Sequence, residues 1–324
     1  MTISFEGDSA ALLFAEAVRA TADHGRPISP RGLPTRELLG VRLTLTRPRA
    51  RLLHLPPARI LNPAFAAAET VWHLTGSDAP WIFDYNGGLR QYADDGVLRG
   101  AYGPRMRRWA GHVDQLAEVV RTLREDPDSR RAVIQLYDPA RDAAGHRDVP
   151  CTLGFRFHLR QGRLHMATTM RSQDVWVGFP YDLFFTTVLH ELMAGWVGAD
   201  LGTYHHYVDS LHLYERDMPA AVGLPLVETG PTTAEMPELT APWEDLDELL
   251  GQVRRGETLP AHPGWTQLGT AMHSYRLWKS GELERAEAIA GEVTGPLGAA
   301  LVDWYAHLRA RREARAASAA GAAR

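Results

Sequence analysis

Hydrophobic and polar positions change period along the chain, and each change marks an element. Between Ser9 and Asp23 the apolar residues Leu12, Leu13, Ala15 and Val18 recur at helical spacing behind a capping Asp8 or Ser9, which predicts a first helix. A loop rich in proline and arginine follows from Arg26 to Pro34. From Glu37 to Thr46, Leu39, Val41, Leu43 and Leu45 alternate with small or polar positions, as in a strand. Pro63 to Leu74 returns to helical spacing, with proline at the first helical position. Asn86-Gly87-Gly88 and Asp94-Asp95-Gly96 punctuate a long surface loop from Asp84 to Gly103. His112 to Leu123 is an amphipathic helix, and Ala132–Tyr137, Cys151–Leu159, Arg163–Thr169 and Tyr204–Asp209 are strands. Phe184 to Val197 is apolar on every side, so this helix is expected to cross the core.

Past Pro219 the pattern shifts. Gly223 to Pro242, rich in Pro, Thr and Glu, reads as an extended connector. Helices follow near Trp243–Arg254, Trp265–Lys279, Leu283–Val293 and Leu297–Arg311, with Ser280-Gly281-Glu282 as a hairpin turn. The expected organisation is a catalytic domain over 1–218, a connector over 219–242, a helical appendage over 243–311 and a disordered, alanine- and arginine-rich tail from Arg312.

Composition narrows the function classes. The 324 residues are 45% hydrophobic with a net charge of −4, so the body folds, and neither a nucleic-acid footprint nor an acidic tail dominates. Any anionic partner must be met by local arginines. Glu6 and Asp8 stand where an export signal needs positive charge, and no stretch approaches the ~18 apolar residues that span a bilayer. With a single cysteine and no such signal, the expected compartment is the cytoplasm.

That cysteine, Cys151, follows a proline and opens a strand. Alone in the chain, it is either a buried filler or a reactive thiol. Glu69 lies in the apolar helix with Phe65, Val71, Trp72 and Leu74, where a carboxylate must find a partner or shift its pKa upward. Metal chemistry is not indicated: His190-Glu191 lacks the second histidine one turn on, because Ala194 is there, and Cys151 has no partner thiol. His205 and His206 read as ordinary polar residues.

Ser129-Arg130-Arg131, Pro150-Cys151, Arg171-Ser172-x-Asp174-Val175-x-x-Gly178-x-Pro180-Tyr181 and Asp209-x-x-His212-Leu213-Tyr214 resemble, in order and spacing, the signature blocks of the thymidylate synthase family. The likeness covers residues 26 to 218. It implies an α/β fold: a large mixed sheet with helices on one face, paired back to back in a homodimer, plus the C-terminal helices. Cys151 is implied as the thiolate that adds to C6 of a pyrimidine nucleotide, making C5 a nucleophile toward the co-substrate 5,10-methylenetetrahydrofolate. Arginine charge beside it is expected to lower its pKa. Glu69 matches the general base and Tyr102 its assistant. Arg171 and Ser172 are implied to hold the phosphate, joined by Arg31 and, from the other subunit, by Arg130 and Arg131. Asp174 matches the anchor of the pterin ring, while His212 and Tyr214 match the pair on the sugar hydroxyl.

The chain departs from the family pattern in four respects. Asp182 replaces an asparagine whose amide reads uracil; ionised aspartate only accepts, which suits the N4 amino group of cytosine, as in the family's cytidylate and deoxycytidylate hydroxymethylases. The other reading of Asp182 is a cap for a helix beginning at Leu183. Leu89 and Tyr92 stand where tryptophans shield the exocyclic methylene intermediate, so water can capture it. Thr152 replaces a histidine after the cysteine, and the short apolar C-terminal tail is missing. The expected activity is therefore C5 hydroxymethylation of CMP or dCMP, CMP being favoured because the alanine and arginine content and the appendage resemble the cytidylate hydroxymethylases of nucleoside-antibiotic pathways. Two alternatives stand beside it: a uracil-nucleotide methylase or hydroxymethylase, and a silent nucleotide-binding homologue.

Overall fold

The computed structural model describes residues 3–143, 145–227 and 234–322, and side chains as far as residue 318. One mixed sheet is built from β1 (Ile3–Gly7), β2 (Arg26–Ile28), β3 (Thr35–Leu45), β4 (Val133–Gln135), β5 (Thr152–Arg160), β6 (Arg163–Met170), β7 (Gln173–Asp174) and β8 (Asp200–Tyr214). Its order is β1-β3-β8-β6-β5-β4, with β2 added to β3 and β7 to β8. The β5–β6 hairpin closes through Gln161 and Gly162, both at positive φ, the turn that matches strand twist.

Along β8 and β6 the side chains alternate between covered and accessible. Tyr204, His206, Val208, Leu164, Met166 and Thr168 face inward and are buried. Leu39 of β3, Val133 of β4 and Tyr207 of β8 remain exposed. The expected architecture, a mixed sheet with its helices on one face, is the one observed.

The helices are α1 (Ala10–His24), α2 (Pro63–Leu74), α3 (Tyr102–Arg107), α4 (Gln115–Glu125), α5 (Pro139–Asp142), α6 (Phe179–Val197), α7 (Met218–Val222), α8 (Leu246–Arg255), α9 (Pro263–Ser280), α10 (Leu283–Ala290) and α11 (Gly295–Ala322). Helix α6 buries 15 of its 19 residues, as its continuous hydrophobicity predicts. It starts at Phe179, five residues before the apolar run, because Pro180 sets its first turn. Strand β8 extends well beyond Tyr204–Asp209, since β3 on one side and β6 on the other pair it over its length. Short β1 and β2, and α3, which begins at the end of the expected loop, escaped the periodicity. The segment from Arg312 is helical as far as Ala322, in keeping with the helix preference of alanine and arginine.

The C-terminal helices share one hydrophobic cluster with the sheet and α2, including Trp265, Met272, Trp278 and Tyr305. Trp278 and Tyr305 stack with ring centroids 4.5 Å apart. Polar contacts tie the appendage to the start of α2. Arg276 Nη1 donates to Tyr85 Oη at 2.7 Å, Asn62 Nδ2 donates to the Tyr85 carbonyl at 3.2 Å, and Asn62 Oδ1 caps α2 by accepting from Phe65 N at 3.1 Å. Elsewhere in the core, Glu191 is held between Arg49 and fully buried Arg51, and Arg105 chelates Asp142 through two 2.7 Å bonds.

A shared core predicts shared unfolding. Trp265→Ala should cost about 3–5 kcal/mol and lower the midpoint of a single urea transition followed by both circular dichroism and tryptophan fluorescence. A separate transition for the appendage, with the main one unmoved, would contradict this.

Candidate active site

Helix α2 buries every one of its 12 residues except Glu69, which keeps some solvent contact. Among the described residues the Glu69 side chain forms no hydrogen bond or ion pair. Its pKa is raised well above the ordinary value, first because the surrounding protein excludes water and second because Asp182 adds negative charge. A carboxyl group so placed holds a proton more readily than a surface glutamate does.

Cys151 precedes β5 and is partly buried. The main chain of Arg171 closes onto it, N donating to the Cys151 carbonyl at 2.9 Å. The Arg171 guanidinium is held by the carbonyls of Pro150 (2.9 Å) and Val149 (3.0 Å), with Nη2 3.8 Å from Sγ. Burial pushes the thiol above its ordinary value; Arg171 and Arg31 pull the other way, and Asp182 and Asp148 add to the rise. The expectation that arginine charge leaves Cys151 with a lowered pKa is thus corrected for the chain by itself: desolvation outweighs it. Arg31, at positive φ in the turn Pro30–Gly32, is exposed and close enough for its charge to reach the thiol.

Tyr102 opens α3 and stacks on buried His73, centroids 4.8 Å apart and planes 13° from parallel. Thr152 Oγ1 donates to Tyr102 Oη at 3.0 Å. The threonine in the place of a histidine therefore orients this phenol, whose pKa is raised well above the usual value by burial and by the charges of Asp182 and Cys151.

Asp182 lies within the first turn of α6, not ahead of it. The cap position is Gly178, so helix capping does not account for the aspartate. Its Oδ2 accepts from Gln173 Nε2 at 2.9 Å. Desolvation raises its pKa to about 6, against the lowering effect of that bond. Asp182 raises the pKa of Glu69, Tyr102, Cys151 and Tyr204, so groups from three elements and the residue ahead of β5 converge on one carboxylate.

Pairing of β7 with β8 sets Asp174 opposite His212. Ser172 Oγ lies 3.5 Å from His212 Nδ1, and Tyr214 meets His212 edge to face at 5.3 Å. Asp174 Oδ1 accepts from the amides of Trp176 (2.9 Å) and Val177 (3.0 Å), which fixes the turn into α6 and leaves Oδ2 without such a bond. Leu89 packs on the core and Tyr92 is 45% exposed, both in the turn Gly87–Tyr92.

Arg130 and Arg131 are not brought to Cys151. Phe157 N donates to the Ala132 carbonyl, so the arginines sit at the far end of β5 from the cysteine, about 20 Å away at ~3.3 Å per residue. Both are exposed, and neither side chain has a hydrogen bond or ion pair among the described residues. Sequence reading passed over Gln173 and His206. Gln173 lies inside the central block, but its bond to Asp182 and its contact with His206, 33 positions on, appear only in the fold. Among the described residues no His, Cys, Asp and Glu side chains are grouped to hold a metal.

The thymidylate synthase family model matches residues 14–245. A deoxyuridylate hydroxymethyltransferase of Bacillus phage SP01 is 34% identical over 76% of this chain and 68% of its own length. Another protein of that name, from Pseudomonas phage M6, is 33% identical over 58% of the chain and 54% of the relative. A thymidylate synthase of Symbiobacterium thermophilum is 32% identical over 45% and 57% respectively.

Because Cys151 is the only cysteine, its alkylation reports one group. Its iodoacetamide rate should rise with pH through a midpoint above that of an ordinary thiol, and Arg171→Leu should move the midpoint higher still, as removal of a cation disfavours the thiolate. An unmoved or lowered midpoint in Arg171→Leu would contradict the electrostatics described.

Proposed function

We propose that this chain, which belongs to the thymidylate synthase family, transfers a one-carbon unit from 5,10-methylenetetrahydrofolate to C5 of a cytidine 5′-monophosphate and lets water complete the product as a 5-hydroxymethyl nucleotide. The observation that carries the cytosine reading is Asp182 inside α6, accepting from Gln173 and doing no capping. Above its pKa of about 6 it is largely ionised and offers only acceptors. The N4 amino group of cytosine fits that surface, and a proton on N3 supplies a second donor.

In this reading the Cys151 thiolate adds to C6 and C5 attacks the folate methylene carbon. Glu69 removes the C5 proton, directly or through water, as tetrahydrofolate departs. Water adds to the exocyclic methylene, losing one proton, while the C6–S bond breaks and returns the thiolate. The sum is nucleotide, methylenetetrahydrofolate and water giving hydroxymethyl nucleotide and tetrahydrofolate. Tyr102, held by Thr152 and His73, assists proton movement at C5. Exposed Tyr92 and small Leu89 favour water over hydride transfer. Arg171, Ser172 and Arg31 hold the phosphate, Asp174 the pterin through Oδ2, and His212 with Tyr214 the sugar. The ribonucleotide CMP is preferred to dCMP.

Two chains are proposed to pair through the open sheet face. Exposed Leu39, Val133 and Tyr207 support this, and it would carry Arg130 and Arg131 from their own far end toward the partner's phosphate site.

A second reading replaces cytosine by uracil. It is favoured by the two phage relatives, whose names specify deoxyuridylate.

Incubation with CMP, dCMP, UMP and dUMP plus methylenetetrahydrofolate, read by product mass, separates the readings. A CH2O gain on a cytosine nucleotide is expected; a gain confined to uracil nucleotides would overturn the base assignment. Glu69→Gln should lower kcat about 10²–10⁴-fold, and Cys151→Ala should abolish turnover. Asp182→Asn should shift preference toward uracil, and an unchanged preference would remove Asp182 from base reading.

A further inference from the structure

Gln173 sits at the head of a buried relay behind Asp182. Its Oε1 is 3.0 Å from His206 Nε2, His206 Nδ1 is 2.8 Å from Tyr204 Oη, and Tyr204 Oη is 2.8 Å from both Thr168 Oγ1 and Thr186 Oγ1. Thr168, Thr186, Gln173, Tyr204 and His206 are all buried. Protons fall into one consistent order along this line. An ionised carboxylate accepts only, so the amide atom facing Asp182 is the nitrogen and the one facing His206 is the oxygen. His206, kept neutral by burial with a pKa of about 3, then donates from Nε2 and accepts at Nδ1 from the Tyr204 hydroxyl, to which Thr186 Oγ1 donates.

A Cβ on Gly178 would come within 2.9 Å of Gln173 Nε2, so the glycine in the central block is what allows the amide to reach Asp182.

We propose that Gln173, locked by His206 and Tyr204, is a specificity-determining positioning residue: it keeps an N–H donor on Asp182 Oδ2 and so presents Oδ1 to the substrate base as an acceptor. The inference rests on the reading that Asp182 faces the base. The charge of Asp182 also bears on Glu69 from α2, Tyr102 from α3, Cys151 ahead of β5 and Tyr204 from β8.

The test compares kcat/KM for cytidine and uridine nucleotides across pH 5–9 in the wild type and in Gln173→Met, which keeps volume and removes the donor. The cytosine-to-uracil ratio should fall roughly tenfold or more, the effect of losing one hydrogen bond to a charged group. The pH limb belonging to Asp182 should move upward, because its ionised form has lost a donor. Should Gln173→Met not fold, His206→Leu, which leaves Gln173 unclamped, should change the ratio and the limb in the same directions. An unchanged ratio and limb in the folded variant, while Asp182→Asn still switches the base, would overturn the relay alone. If Asp182→Asn also leaves the base unchanged, both the relay and the base reading fall.

Discussion

One half-buried carboxylate governs the rest. Among the described residues Asp182 has one side-chain donor, Gln173, and its negative potential bears on Glu69, Tyr102 and Cys151 at once. Burying charge is costly unless it is partnered. The fold meets that requirement through a line of buried polar side chains running from β7 into β8, and the field of Asp182 favours the protonated forms of the neighbouring groups.

The architecture exists to bring these groups to one point. Helix α6 delivers Asp182 in its first turn, α2 delivers Glu69 from an otherwise buried helix, and the Arg171 main chain pins Cys151 at the start of β5. The C-terminal helices are part of the same construction. Through Arg276, Tyr85 and Asn62 they fasten the beginning of α2, and Asn62 N donates to Tyr181 Oη at 3.1 Å, next to Asp182. A substrate that brings its own phosphate and ring into this site meets groups whose protonation is already biased by burial.

Much of this was legible in the chain. Periodicity located α1, α2, the β5–β6 pair and the core-crossing α6, since each has a run long enough to show its period. Short β1, β2 and α3 were missed because a few residues carry no period and their pairing is set by distant partners. Cys151, Glu69, Tyr102 and Asp182 stood out by type and order, and the fold brings them together. What sequence could not show is desolvation: it puts the Cys151 thiol above its ordinary value despite Arg171, and no local pattern reports how much water a fold excludes. Gln173 and His206 were invisible for a related reason, being ordinary polar residues until the parallel pairing of β7 and β6 with β8 sets them face to face.

In the proposed reaction water, and not hydride, completes the transferred carbon on a cytosine ring. Turnover of CMP and dCMP with methylenetetrahydrofolate in water enriched in oxygen-18 tests it directly. The account predicts a cytosine product carrying a hydroxymethyl group with the heavy oxygen, and tetrahydrofolate as the second product. A methylated nucleotide without added oxygen, formed together with dihydrofolate, would contradict it.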